Sequence, residues 1–350
     1  MSKVIHLDAE SFLASSLNHL IVDVRSPAEF EHAHIPGAEN FPLFNNEQRA
    51  EIGTLYKKQG REVAMMRGLE LYGGNMKQII EKLQTRNLTG KKLFVHCWRG
   101  GMRSGVVSWM LSLFGYHVSI LNGGYKAYRQ FVLNSFNQNY SFKIIGGRTG
   151  AAKTKVIEAM MENKIAAIDL EGIANHRGSA FGAIGLGLPP TQEQFENELS
   201  SQLMNLKSEQ SIYLEDESQR IGWVNIPNNI WNQMRSADVL YLDIPFENRL
   251  ENLVNTYGKL EVEQLNEATL RIQKKLGGLQ TKNVTGFLKE GNLKEAFRIL
   301  LNYYDKMYDL GTGRRLPQSI FKIKSEVIIG KVNMDKLLLL SNQKPDEWKK

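Results

Sequence analysis

One cysteine stands in 350 residues, and that scarcity already excludes several classes. A single thiol can build neither an intramolecular disulfide framework nor a cysteine-cluster zinc site. Long apolar runs are missing as well: none approaches the ~20 residues a membrane-spanning helix needs, so no membrane association is expected. The first six residues lack the apolar stretch of a signal peptide, and a lone thiol suits a reducing compartment, so the expected location is the cytoplasm. Internal repeats and low-complexity segments are absent too. What remains is a chain with 42% hydrophobic residues, ample for about two cores at this length. The net charge of +7 favours an anionic partner such as polyphosphate or RNA.

Strand and helix signals alternate along the chain, which predicts an α/β fold with parallel sheets covered on both faces. In the first part, strands are expected at 20–24, 91–94 and 116–121, with helices at 75–88, 105–114 and from Tyr125. Ser26, Pro27 and Glu29 read as an N-cap, a first-turn proline and the far end of a capping box. The polar, asparagine-rich stretch 134–140 is the expected boundary between a domain at 1–135 and a second at 141–350. The second begins with a strand at Phe142, a helix at 153–163 and a strand at 165–170. A helix at 193–206 and strands at 211–217 and 239–243 follow, and 246–310 reads as mostly helical and basic.

Cys97 lies in His96-Cys97-Trp98-Arg99-Gly100-Gly101-Met102-Arg103-Ser104, between a strand and a helix. A glycine-rich turn there can aim several backbone N–H groups, those of Trp98, Gly100, Gly101 and Met102 included, at one anion. The helix dipole and the charges of Arg99 and Arg103 favour the thiolate, the reactive form of cysteine. A buried structural thiol would need neither arginines nor glycines around it. His96 precedes the nucleophile, and strand alternation turns its side chain to the opposite face, so a structural role is expected for it.

Asp23-Val-Arg25-Ser-Pro-Ala-Glu29-Phe30 with His34-Ile-Pro-Gly37-Ala38, and later Leu121-Asn-Gly123-Gly124-Tyr125, resemble the opening and closing signatures of the rhodanese, or sulfurtransferase, family. The resemblance covers about residues 10–135 and puts Cys97 at the nucleophile position, where the family carries a persulfide or its selenium analogue. It implies a rhodanese-like doubly wound sheet. Arg103 stands six positions after Cys97, one more than in short rhodaneses. The wider spacing leaves two readings open. One is a cradle for an anion such as selenophosphate. The other is a cysteine phosphatase, whose Cys-x5-Arg spacing is the same.

Gly147-Arg148-Thr149-Gly150-Ala151-Ala152-Lys153-Thr154 follows a strand and opens a helix, the context in which a phosphate loop works. Its amides would wrap a diphosphate, Lys153 would bridge the outer oxygens, and Thr154 could reach Mg2+. Ala152 replaces the usual last glycine, and its methyl is expected to crowd the loop. Glu215-Asp216-Glu217 ends a strand as a magnesium-binding segment does, with Asp216 as ligand or Glu217 activating water. Asp169, Glu171, Asn175, His176 and Arg177 form a second polar loop at a strand end. This is expected to be a P-loop NTPase-like α/β domain with a helical, basic C-terminal part.

Arg271, Lys274, Lys275, Arg314 and Arg315 are the expected RNA phosphate contacts, and Tyr303, Tyr304 and Tyr308 offer rings for stacking on bases. A solvated basic face with a core tyrosine stripe is the plainer alternative. With 169–179 and Arg271-Ile-Gln-Lys-Lys-Leu-Gly-Gly278 in this order, the whole chain resembles the tRNA 2-selenouridine synthase family. That resemblance implies a transferase replacing sulfur by selenium in 2-thiouridine at the tRNA wobble position. Selenophosphate and geranyl diphosphate are the implied co-substrates, and a selenophosphate-supplying enzyme is an implied partner. A sulfurtransferase, or a cysteine phosphatase coupled to a kinase-like domain, is the competing reading.

Overall fold

The computed structural model describes residues 4–86, 88–206 and 210–341. The chain divides into two compact units. One comprises residues up to Ser135 together with Glu196–Ser201. The other comprises Phe136–Phe195 and the chain from Gln202.

The first unit is built on five parallel strands, β1 (Ile5–Leu7), β2 (Leu20–Asp23), β3 (Ala38–Asn40), β4 (Lys92–His96) and β5 (His117–Leu121), in the order β1-β5-β4-β2-β3. Parallel strands need cover on both faces, and Val22, Leu93 and Val95 are accordingly fully buried. The direction of winding reverses between β2 and β4. That reversal opens a crevice at the strands' C-terminal ends, where ligands bind in open α/β sheets. Register pairs Asp23 with His96 at this edge, so Cys97 leaves the sheet there.

The capping box at Ser26 is present, with Glu29 closing on the Ser26 amide. The helix expected at 75–88 is longer, Arg61–Gln84, and a further helix Asn46–Gln59 precedes it. Gly68, Gly73 and Gly74 inside the long helix, and the exposed Met65, Met66 and Leu69, blur the 3.6-residue period that marks a helix in sequence.

The second unit holds β6 (Phe142–Gly146), β7 (Ala167–Ile168), β8 (Ile212–Glu215), a ribbon of β9 (Arg220–Ile221) and β10 (Val224–Asn225), then β11 (Asp238–Asp243) and β12 (Ile320–Lys324). Its main sheet is parallel, ordered β12-β11-β6-β8-β7, with β6 at the centre and winding reversing around it. The strand expected at 165–170 is cut short at Ile168, because the Asp169 carboxylate accepts the Gly172 amide and caps the helix Leu170–Ala174. Helices between Phe246 and Thr312 form a separate apolar cluster around Leu250, Leu265, Val284 and Leu301. No helix among the described residues is long and apolar enough to cross a membrane.

Candidate functional site

Cys97 directly follows β4 and is 3% exposed. Its Sγ lies 3.2 Å from the Ser104 hydroxyl, which also donates to the Gly101 carbonyl. The helix Met102–Leu113 starts at Gly101, which has no side chain to cap its first amides. Those amides and the helix dipole therefore face the thiol's turn without competition from a cap. A second turn closes over the first. The Tyr125 amide donates to the Cys97 carbonyl at 2.8 Å, and the Lys126 amide to the Trp98 carbonyl at 3.0 Å. Gly100 is left-handed (φ +63°), and a Cβ on it would lie 2.5 Å from the Leu121 carbonyl oxygen and 2.9 Å from the Gly124 amide. Only glycine fits there, for backbone geometry and for space.

Arg103, expected to face the anion, is instead held by Glu29: Nη1 donates to Oε2 at 2.7 Å and Nη2 to Oε1 at 3.3 Å. Glu29 is available because the capping box already aims it back along its helix. Burial pushes the Glu29 carboxyl up, but Arg103, the Ser26 amide and the charge of Arg49 outweigh it and hold the carboxyl at about 2. Arg99 is exposed and has no partner among the described residues, which leaves it the guanidinium able to turn to an incoming anion.

The depressed Glu29 value gives a pH prediction. The pair's stabilisation is full above the unfolded value near 4.5 and is lost as pH falls through about 2. Thermal melting of the wild type should therefore drop between pH 4.5 and 2 more steeply than that of Glu29→Gln. Parallel curves would show that the pair contributes nothing.

The same sheet edge holds a buried ion pair between Asp23 and Arg25. Arg25 Nη2 donates to Asp23 Oδ2 at 2.6 Å and to the Ala33 carbonyl at 2.7 Å, and its guanidinium lies 3.8 Å from the Tyr125 ring centroid. His96 is fully buried, neither ring nitrogen has a hydrogen-bond partner among the described residues, and burial holds its pKa down to about 4. It is a neutral packing group at the end of β4, its Nε2 3.6 Å from Asp23.

The phosphate loop leaves the central strand β6. Lys153 Nζ donates to the Gly147 carbonyl at 3.1 Å, so the loop curls over the head of its lysine. Side chains from distant helices fasten it. The Gly147 amide donates to the Tyr308 hydroxyl at 2.9 Å, Arg148 forms a two-pronged pair with Asp309, and Asn252 Nδ2 donates to the Gly150 carbonyl. Arg249, 1% exposed, donates to the Thr149 and Ile244 carbonyls and pairs with Asp305 through two bonds of 2.8 Å. Ala151 is buried in the sheet's core. Ala152 adopts the left-handed conformation (φ +58°, ψ +44°) that the usual glycine takes freely. The loop thus keeps its shape at a backbone cost of roughly 1–2 kcal/mol.

The acidic strand end divides its work differently from expectation. Asp216, the expected ligand, is held by two donors: Arg315 reaches one oxygen at 2.7 Å and Tyr308 the other at 2.9 Å. Glu171, Glu215 and Glu217 converge instead, with ligand oxygens all within 4.8 Å of one another. The Thr154 hydroxyl donates to Glu171 at 2.9 Å. Burial, reinforced by the charge of Glu171, raises Glu217 to about 8, and burial drives Glu215 well above the ordinary carboxylate range. The neighbouring polar loop mostly holds itself together: Asp169 caps, Asn175 Nδ2 donates to Leu188, and Arg177 reaches the Ile184 carbonyl. His176 packs against Gly222, and burial lowers its pKa.

Two family models match the chain. A rhodanese-like domain covers residues 8–131, and the tRNA 2-selenouridine synthase AAA domain covers 140–336. A tRNA 2-selenouridine synthase of Shewanella frigidimarina is 32% identical over 340 residues, 87% of this chain and 92% of that protein. The chain belongs to the tRNA 2-selenouridine synthase family. A relative of that name from Marinobacter nauticus is 32% identical over 92% of this chain and 96% of its own length. One from Nitrosomonas eutropha is 38% identical over 68% of this chain, and there the match spans 62% of the relative's length.

In this member of the family, Arg271, Lys274, Lys275 and Arg314 are exposed, Arg271 lying loosely near Glu267. Arg315 was expected beside them but is 5% exposed, its guanidinium spent on Asp216 and the Met234 and Arg235 carbonyls. Tyr308 is likewise committed to the phosphate loop and to Asp216, and Tyr304 packs against the helical core. Neither offers a ring for stacking. Trp223, absent from the sequence reading, is 69% exposed in the turn between β9 and β10. Gly222 beside it presses on His176, and Arg220 Nε donates to the Gly222 carbonyl.

Proposed function

We propose that the chain exchanges sulfur for selenium in 2-thiouridine at the wobble position (34) of tRNA, by way of an S-geranyl intermediate. The observation that carries this reading is the coexistence, in one member of this family, of a thiol cradle and a separately framed phosphate loop. In the first step, the phosphate loop and Lys153 hold the diphosphate of geranyl diphosphate. The thiouridine sulfur attacks the geranyl carbon, the carbon–oxygen bond breaks, and diphosphate leaves with the electron pair. In the second, selenophosphate is held beside Cys97, where loop amides and Arg99 favour its anion. Its selenium attacks C2, a carbon–selenium bond forms and geranylthiolate leaves with the electron pair of the carbon–sulfur bond; water then cleaves the phosphorus–selenium bond and phosphate is released. Arg103 positions the cradle through Glu29 rather than touching the anion.

The phosphatase reading fares worse, since the arginine that would grip a tetrahedral phosphate is already paired. Exposed Trp223 and the neighbouring Arg220 suit an unpaired base and a phosphate of the tRNA. The test is nucleoside mass analysis of 2-thiouridine tRNA incubated with the protein. S-geranyl-2-thiouridine should appear with geranyl diphosphate alone, and 2-selenouridine once selenophosphate is added. Unchanged thiouridine under both conditions overturns the reading.

A further inference from the structure

Trp98, the residue directly after the thiol, carries an indole that is 38% exposed, although this side chain is highly buried on average. The exposed ring is firmly held. It leans on Tyr125, with ring centroids 5.7 Å apart and planes 34° apart. Tyr125 is itself 0% exposed: the Arg25 guanidinium lies 3.8 Å from its centroid, His96 stacks at 6.2 Å, and its hydroxyl accepts from Asn197 at 2.8 Å. The main chain is fastened as well, because the Lys126 amide donates to the Trp98 carbonyl and the Tyr125 amide to the Cys97 carbonyl. The indole is thus the outer end of a braced group of rings, one residue from the sulfur. Arg99 and Lys126, both exposed, bring two cations to the same pair of turns.

A flat ring fixed at the surface beside cations suits a nucleotide with an unpaired base. The base stacks on the ring, a phosphate meets a cation, and a platform already rigid loses little freedom on binding. We propose that the wobble base of the tRNA stacks on the Trp98 indole while Lys126 meets a flanking phosphate, so that Trp98 is the platform that aligns the reacting base at Cys97. This deepens the reading given above and rests on it for the identity of the RNA. Stacking covers one face of the uracil ring and leaves the other open, and a nucleophile adds to C2 through an open face. Lys126 takes the phosphate, which keeps Arg99 for the selenophosphate anion. An anticodon loop offers several unpaired bases, so Trp223 is left for another.

The test measures binding of the full-length protein to two synthetic anticodon stem-loops, one with 2-thiouridine at position 34 and one lacking the base there. Neither carries a geranyl group, so contact between the indole and that chain enters neither measurement. Trp98→Ala should weaken binding of the thiouridine stem-loop roughly tenfold or more and leave the base-less one within about twofold of wild type. Trp98→Phe, which keeps a ring, should recover most of the loss. Lys126→Ala should weaken both stem-loops alike and lower the slope of log affinity against log salt by about one. Should Trp98→Ala fail to fold, Trp98→Leu replaces it. Equal losses on the two RNAs would make Trp98 a structural support and overturn the proposal. So would no loss on either, a Trp98→Phe as weak as Trp98→Ala, or a wild type that binds neither stem-loop. Conversion to 2-selenouridine is read separately by nucleoside mass analysis, so the exchange reaction can stand where the stacking fails, and the reverse.

Discussion

Cys97→Ser is expected to abolish selenium incorporation into tRNA while S-geranyl-2-thiouridine still forms. The loss should be on the order of 10^4-fold or more, the scale on which removal of a nucleophile acts in enzymes. Serine fits the site, since Cys97 Sγ already lies beside the Ser104 hydroxyl and the swap shortens the side chain only slightly. The cradle, built from backbone turns and fastened by Tyr125 and Lys126 amides, should survive. What serine lacks is an ionisable, polarisable atom able to hold selenium. Lys153→Ala should show the converse pattern. Geranylation should fall by roughly 10^2–10^3-fold, because the loop loses the ammonium that answers the leaving diphosphate. A pre-geranylated tRNA should still be selenated. Both variants are read by the same nucleoside mass analysis. If each loses both steps equally, or if Cys97→Ser still selenates, the division of labour between the two sites is wrong.

Arg249→Met is expected to destabilise the second unit by roughly 3–5 kcal/mol, the cost of stranding one partner of a buried ion pair. Asp305 would lose both of its 2.8 Å bonds, and the Thr149 and Ile244 carbonyls would lose their donor. The phosphate loop would suffer with them, because Gly150 packs directly on the Arg249 backbone and the Thr149 carbonyl is held by its side chain. The companion variant Arg249→Met/Asp305→Leu should recover much of the loss, since it removes both charges and fills the space with apolar atoms. Thermal and urea unfolding measure both. A cost below about 1 kcal/mol for the single change would show that water already screens the pair.

Much of both sites was readable without the fold, and the reason is locality. The cradle is a strand, a glycine-rich turn and a helix start within a dozen residues, and the phosphate loop has the same grammar. The capping box at Ser26 and Glu29 spans one helical turn. Only the second half of the long helix Arg61–Gln84 is legible in the sequence, because the period of the first half is interrupted by glycines and by exposed apolar side chains. Ala152 was read as an obstruction, yet the loop keeps its conformation by paying backbone strain, a choice that sequence alone does not reveal.

By itself the sequence determined the chemistry that each segment could offer: a lone thiol at a helix start, a lysine and threonine behind a diphosphate-sized turn, acids at strand ends and a surplus of positive charge. Partners far apart in the chain were decided only by tertiary structure. Arg103 was drawn to Glu29, 74 residues earlier, and away from the anion it was expected to bind. Arg315 reached back 99 residues to Asp216, which buried one expected RNA contact against one expected metal ligand. Glu171 joined Glu215 and Glu217 because β7 and β8 are neighbours in the sheet. Charges act on whatever lies within a few ångströms, and in a parallel sheet the order of the strands, not the order of the residues, sets which strand ends those are.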